Sequence, residues 1–312
     1  MKFCPITYEP VAAGAKYSER GLKLLSPALK ELKDFPYTAD EQRREAVVRA
    51  TKLSIQGVQP KLSARLNIKE SVFEVIDANG RFILKPQSHL YRELPENEDL
   101  TMRLASSIDL DVPLHGLIYC ADGTMTYFIR RFDRAGRGGK LAVEDFAQLA
   151  GQTRDTKYDW TMEKLVPILE RHCTFPVVEK AKLLKMTIFS FLVGNEDMHL
   201  KNFSLITKDQ KVSLSPCYDL INTTAALPNA REELALSLRG KKRKLELEDL
   251  GEYYAKERLA LPEKVFADIM QAIAASIGRW RDLISRSFLS TPSKRRYEEI
   301  LLERCRRIGL VV

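Results

Sequence analysis

Gly194-Asn-Glu-Asp-Met-His-Leu-Lys-Asn-Phe-Ser204 follows directly on the apolar run Met186-Thr-Ile-Phe-Ser-Phe-Leu-Val193. That run is far short of the roughly 20 residues of a membrane-spanning helix and reads as a buried core helix. The stretch after it closes the helix and carries Asp197, followed five positions later by Asn202. Taken alone, an aspartate and an asparagine in a loop are usually turn or capping residues. Their surroundings change that reading. Two short β-like runs come next, Phe203 to Ile206 and Lys211 to Leu214, and then Cys217-Tyr-Asp219-Leu. The spacing of the two aspartates fits a hairpin between them.

An aspartate and an asparagine in D-x-x-x-x-N spacing, with a second aspartate beyond a hairpin, is the arrangement of a phosphoryl-transfer loop. Such chemistry needs a carboxylate to orient the attacking hydroxyl and accept its proton, together with oxygen ligands that hold Mg²⁺ on the phosphates. Asp197 and Asn202 supply those groups, and Asp219 stands where a second metal-binding carboxylate belongs. Two departures argue against an ordinary eukaryotic-type kinase: Tyr218-Asp219-Leu220 is not Asp-Phe-Gly, and no His-Arg-Asp precedes the loop.

Upstream, Lys85 ends the β-like run Arg81-Phe-Ile-Leu, where a strand lysine can reach the α- and β-phosphates of ATP. Such a lysine is by default merely exposed. Glu98, in the first turn of a helix beginning near Pro95, is a candidate partner for it, with Glu93 and Glu96 as competitors. Acidic residues favour a helix N-terminus in any case. Ser54-Ile-Gln-Gly-Val-Gln-Pro-Lys61 has only Gly57 for a phosphate-cradling loop, which is a weak signal. It does not match a Walker sequence, so a P-loop NTPase and a Rossmann site are both disfavoured.

Short β-like runs at Lys61 to Leu66, Val72 to Ile76, Phe82 to Lys85, Leu117 to Cys120 and Met125 to Ile129 sum to a five-stranded antiparallel sheet. Asn79-Gly80 is a hairpin signal between the second and third, and Asp122-Gly123 a turn between the last two. Leu100, Leu104 and Ile108 give the helix after Leu94-Pro-Glu-Asn-Glu98 one inward face. Thr38 to Ala50 reads as a capped helix, and the segment before it has no clear period. Beyond the linker Ala135-Gly-Arg-Gly-Gly139 the pattern turns helical at Val143 to Ala150, Trp160 to Cys173, Val177 to Val193 and Pro262 to Ile308. The expected class is therefore α+β and bilobal, with residues 1–134 as the small sheet-bearing lobe and 135–312 as a larger helical one.

Composition sets the outer bounds. With 45% hydrophobic and 29% charged residues the chain is globular rather than disordered or fibrous. Cys4, Cys120, Cys173, Cys217 and Cys305 form no CxxC pair, which argues against zinc and against a disulfide framework. The N-terminus has no apolar run behind Lys2, so cytoplasmic synthesis is expected, with a C-terminal export signal left open. A net charge of +8 attracts ATP, acidic proteins or nucleic acid alike. Gly240-Lys-Lys-Arg-Lys244 reads as a solvated basic loop.

Several stretches in order resemble the HipA family of bacterial toxin kinases: Ser54 to Lys61, Phe82-Ile-Leu-Lys85-Pro, Leu94 to Glu98, Arg131-Phe-Asp-Arg134, Glu144 to Gln148, Gly194 to Ser204 and Tyr218-Asp-Leu220. The resemblance spans roughly residues 50 to 225. It implies a protein-kinase-like fold with ATP and Mg²⁺ as cofactors. It further implies Asp197 as catalytic base, Asn202 and Asp219 as metal ligands, and Lys85 and His199 as nucleotide contacts. Arg131 and Phe132 would lie along the adenine, Gly57 would sit in the loop over the phosphates, and Ser54 would be an autophosphorylation site. An added phosphate of charge about −2 changes whether that loop can cover ATP.

Only some fifty residues precede the Ser54 loop, so the chain is similar to the short, HipT-like form of the family. For that form the resemblance implies two partners, a small antitoxin resembling the missing N-terminal subdomain and a DNA-binding antitoxin. It implies an aminoacyl-tRNA synthetase as protein substrate. Two rivals stay open at the level of sequence. One is another enzyme on the same fold, a small-molecule kinase or an adenylyltransferase. The other is a nucleotide-binding scaffold or DNA-corepressor subunit without catalysis.

Overall fold

A computed structural model describes residues 2–50, 59–136, 139–153, 155–227 and 231–311. Ser54 and Gly57 lie outside the described residues. The chain divides into two compact units. The first comprises Met1–Leu100, Pro113–Gly138 and Arg286–Leu289, and the second Thr101–Val112, Gly139–Ser285 and Ser290–Val312.

The first unit is built on five antiparallel strands, β1 (Leu62–Asn67), β2 (Val72–Val75), β3 (Phe82–Lys85), β4 (His115–Tyr119) and β5 (Met125–Arg130), in the order β2-β1-β3-β5-β4. Leu62, Ala64, Phe73, Phe82, Leu84 and Phe128 project from the sheet into one core. The rings of Phe73 and Phe82 meet edge to face with centroids 5.1 Å apart. Burying each such ring stabilises the fold by about 1.5–3 kcal/mol. The N-terminal segment, which has no readable period, fills the same core with Cys4, Ile6, Leu29 and Phe35 and carries helix α1 (Glu19–Leu25). Its irregular backbone is satisfied by the sheet's edge: Leu117 N–H donates to Pro5 O at 3.1 Å and Phe35 N–H to Tyr119 O at 2.8 Å.

Helix α2 (Ala39–Ala50) starts at a reciprocal cap. Glu41 N–H donates to Thr38 Oγ1 at 3.2 Å while Thr38 N–H donates to Glu41 Oε2 at 2.8 Å. Asp122-Gly123 turns β4 into β5, with Gly123 at φ +78°. Asn79-Gly80 does not form a hairpin. Strands β2 and β3 flank β1 on opposite sides, so the chain between them crosses over rather than turning back. The glycine serves close approach there, since a Cβ at Gly80 would fall 2.0 Å from Ser63 Oγ.

Helix α3 (Leu94–Ser106) begins one residue before Pro95, which puts Glu98 in the second turn rather than the first. After the two-residue strands β6 (Arg134–Ala135) and β7 (Gly139–Lys140) comes strand β8 (Ala142–Asp145) of the second unit. Helical spacing over 143–150 predicts otherwise. Pairing of Val143 with Ile206 and of Glu144 with Leu205 draws the segment into a sheet of order β10-β9-β8, with β9 Ser204–Lys208 and β10 Lys211–Leu214. Only Phe146–Leu149 (α4) remains helical, started by a capping box between Asp145 and Gln148.

The rest of the second unit is helical: α5 (Met162–His172), α6 (Pro176–Val193), α7 (Thr223–Ala226), a wide-turn π-type helix at Asp249–Arg258, α8 (Glu263–Arg286) and α9 (Thr291–Arg307). From Met186 to Val193 every side chain of α6 is buried, Thr187 and Ser190 among its apolar ones. Ile273, Trp280, Tyr297 and Leu301 of α8 and α9 are likewise buried. Among the described residues no helix is long and apolar enough to cross a membrane. All five cysteines are buried free thiols, and burial pushes Cys173, Cys217 and Cys305 up to about 12, well away from reactive thiolate chemistry.

Candidate active site

The residues singled out in the sequence fall into two sets, one in each unit. In the first, β3 ends on Lys85 and α3 carries Glu98. Both are buried, at 4% and 0% exposure, and Lys85 Nζ donates to Glu98 Oε1 at 2.6 Å. The register of β3 against β5 sets Lys85 opposite Tyr127, whose ring centroid lies 5.6 Å from the ammonium. Of the competitors, Glu96 is occupied elsewhere, as is the neighbouring Asp99. Glu96 accepts from Gln87 Nε2 at 2.7 and 2.8 Å, and Asp99 meets His115 Nδ1 at 2.9 Å. A buried ion pair costs desolvation that mutual attraction barely repays, so its presence calls for a reason other than stability. Strand lysine with helix glutamate is the phosphate-gripping pair of protein kinases.

Arg131 and Phe132 lie just past the end of β5. Arg131 N–H continues the ladder to Arg81 O at 2.8 Å, and its guanidinium holds Asp133 through Nε at 2.9 Å and Nη2 at 2.7 Å.

The second set is built around the corner where α6 stops. Gly194 has φ +77°, and a Cβ there would sit 2.6 Å from Asn222 Oδ1, so glycine is required both by conformation and by space. The corner is stitched to the segment after Asp219: Gly194 O accepts from Thr224 N–H at 3.0 Å, and Glu196 N–H donates to Thr223 Oγ1 at 2.7 Å. The buried Arg304 guanidinium adds a bond to the terminal α6 carbonyl of Phe191.

The far end of the loop is stitched as well, because the Tyr218 hydroxyl bonds Ser204 Oγ and donates to Lys201 O at 2.9 Å. Asp219 is thus carried between two fixed points on the loop that bears Asp197 and Asn202. Its φ of +54° is a left-handed conformation that a non-glycine residue adopts at a cost of order 1 kcal/mol or more.

Within the loop, Asp197 N–H donates to Asn195 Oδ1 at 3.2 Å, and Asn202 Nδ2 donates to Asp197 O at 2.8 Å. The asparagine's nitrogen is committed to the backbone, which presents its amide oxygen, a hard ligand suited to Mg²⁺. Asp219 offers a carboxylate on the segment stitched to this loop. Among the described residues no group of three or more His, Cys, Asp or Glu could hold a metal. One carboxylate and one amide oxygen nevertheless fit Mg²⁺, which takes few protein ligands and draws others from phosphates and water.

His199 is buried. Its Nδ1 accepts from Lys201 N–H at 3.3 Å and its Nε2 lies 2.7 Å from Lys157 Nζ. Burial holds the imidazole below its usual range, against the pull of the Asp197 and Asp219 carboxylates. The Tyr158 hydroxyl donates to Asp197 Oδ1, and burial followed by that carboxylate drives the phenol upward. Sequence reasoning did not single out Lys157, Tyr158, Thr223 or Thr224. The first two stand in a polar stretch without a motif, whereas Tyr218 was visible as the neighbour of Asp219.

The description of the family model that matches residues 53–280 is a HipA-like C-terminal domain. A candidate kinase of Haemophilus influenzae is 29% identical over 241 residues, covering 72% of this chain and 69% of that protein. A candidate kinase of Sinorhizobium fredii is 35% identical over 205 residues, covering 61% of this chain and 50% of its own length. The serine/threonine-protein kinase toxin HipA of Shewanella oneidensis is 28% identical over 191 residues, with 55% of this chain and 43% of that protein covered. Two solved structures share the fold. Shewanella oneidensis HipA, in its complex with HipB and operator DNA, superposes with a TM-score of 0.70 at 22% identity over 90% of this chain and 73% of that one. The Helicobacter pylori proinflammatory kinase CtkA does so with a TM-score of 0.57 at 15% identity over 82% and 92%.

Proposed function

This chain belongs to the HipA-like C-terminal domain family, and on that footing we propose that it is an ATP- and Mg²⁺-dependent protein serine/threonine kinase. The observation that carries the reading is the Asp197–Asn202 bond at 2.8 Å. It ties the Asn202 side chain to the Asp197 main chain across one short loop, with the two residues in the spacing phosphoryl transfer uses.

In this reading Asp197 orients a serine or threonine hydroxyl and accepts its proton as the oxygen attacks the γ-phosphorus. The bond from the β,γ-bridging oxygen to the γ-phosphorus breaks, and ADP leaves with that electron pair. Mg²⁺, when bound, neutralises charge on the phosphates, with Asn202 and Asp219 to hold it. Lys85, held by Glu98, grips the phosphates, His199 contacts the nucleotide, and Arg131 and Phe132 follow the adenine. Ser54 as the site of autophosphorylation and Gly57 as a nucleotide contact belong to the same proposal, and both lie outside the described residues.

The biological setting we propose is the toxin of a HipBST-like toxin–antitoxin system acting in a bacterial cytoplasm. Its target is an aminoacyl-tRNA synthetase, and its partners are a small antitoxin and a DNA-binding one. The support is kinship with a HipA toxin and the fold shared with a HipA solved beside HipB and DNA. Incubation with ATP labelled at either the γ- or the α-phosphate tests the chemistry. Protein-bound label from the γ-position alone is expected, whereas label from the α-position would make the chain an adenylyltransferase instead.

A further inference from the structure

We infer that Lys157 and Tyr158 form a clamp on the loop, Tyr158 positioning the Asp197 carboxylate and Lys157 the His199 ring. The inference rests on the kinase reading above. The main chain of Asp197 is fixed by Asn195 and Asn202, but neither bond limits rotation of its side chain. An aspartate's terminal torsion is broad, so the carboxylate needs a further restraint before one oxygen is held toward an incoming hydroxyl. The Tyr158 hydroxyl supplies it by donating to Oδ1, which leaves Oδ2 to receive the substrate's proton.

The tyrosine is itself fixed by its neighbour and by the loop. Its ring meets the His199 ring edge to face, with centroids 4.9 Å apart at 81°, and Lys157 Nζ lies 4.8 Å from its centre. Lys157 then reaches His199 Nε2 at 2.7 Å, and its carbonyl accepts from Leu200 N–H at 3.4 Å. Two adjacent residues therefore fix two candidate site groups that stand two positions apart. Tyr158 is 37% exposed, so its ring is not needed to fill the core. Holding a reacting group within a few tenths of an ångström is what positioning contributes to rate.

The test is steady-state kinetics of Tyr158→Phe, Lys157→Gln and Lys157→Arg beside wild type and Asp197→Asn. Tyr158→Phe keeps the ring and loses only the hydroxyl, so kcat falls about tenfold, as for loss of one charge-assisted bond, with KM for ATP unchanged. Lys157→Gln raises KM for ATP more than it lowers kcat, and Lys157→Arg restores it. Equal losses in all three variants tracking lower melting temperatures would reduce the clamp to a structural prop and overturn it, as would wild-type kcat in Tyr158→Phe. A wild type without Asp197-dependent transfer would defeat the kinase reading instead. The clamp is then read from the carboxyl-carbon NMR signal of Asp197, assigned by its loss in Asp197→Asn. That signal moves in Tyr158→Phe if the clamp exists and stays in place if it does not.

Discussion

Asn202 donates its side-chain amide to the backbone carbonyl of Asp197 at 2.8 Å, so one residue closes the loop and, in the proposed reading, also offers its amide oxygen to Mg²⁺. Separating those two duties is possible by mutation. Asn202→Ala loses both and should lower kcat by roughly 10²–10³, while unfolding free energy drops by only about 1 kcal/mol. Asn202→Asp keeps an oxygen ligand but loses the donor. Initial rates across a Mg²⁺ titration should show partial recovery for Asn202→Asp at high Mg²⁺ and none for Asn202→Ala.

The Lys85–Glu98 pair predicts a dissociation of stability from activity. Glu98→Leu removes the carboxylate 2.6 Å from a buried ammonium and should destabilise the fold by about 3 kcal/mol. Lys85→Met combined with Glu98→Leu replaces both charges by apolar groups and should recover most of that loss. Urea unfolding measures the first quantity, and phosphoryl transfer, absent in both variants, the second.

Gly194→Ala forces a Cβ to 2.6 Å from Asn222 Oδ1 in a left-handed conformation. A loss of about 1–3 kcal/mol is expected, equivalent to a lower melting temperature by several degrees. Because the same corner aims the loop, turnover should fall further than stability alone explains. An unshifted melting curve would show that the corner relaxes at no cost.

Glu96 gives a pH dependence. Burial raises its carboxyl from an ordinary 4.5 to about 7, with the two bonds from Gln87 opposing the rise. Between those values the folded state binds more protons than the unfolded one, so stability from this group falls as pH rises and levels off above about 7. Glu96→Gln cannot ionise. Its gain over wild type in urea unfolding should therefore be larger at pH 8 than at pH 5, and the reverse order would contradict the assignment.

Much of this was legible in the sequence where one local rule acted without competition. The five strands, the helix at Thr38 and the run into Gly194 followed from alternation, capping and apolar content. Asn79-Gly80 misled because glycine answers two needs, left-handed turns and close backbone approach, and the contact with Ser63 Oγ shows the second at work. Residues 143–145 misled because pairing with β9 outweighs the helical pattern that runs from Val143 to Ala150, of which only Phe146–Leu149 stays helical. Lys85, Glu98, Asp197, Asn202 and Asp219 could be named because phosphoryl transfer constrains residue type and spacing together. Lys157 and Tyr158 could not, since they reach Asp197 and His199 only through the fold, some forty residues along the chain.

The most direct measurement is the intact mass of the protein after incubation with Mg²⁺-ATP, taken over time for wild type and for Asp197→Asn with matched melting temperatures. Wild type should gain phosphoryl groups of about 80 Da each, on itself or on an added protein acceptor, while Asp197→Asn gains them at least about a hundredfold more slowly. Equal rates in the two proteins would contradict the assignment of Asp197 as the base on which the account turns.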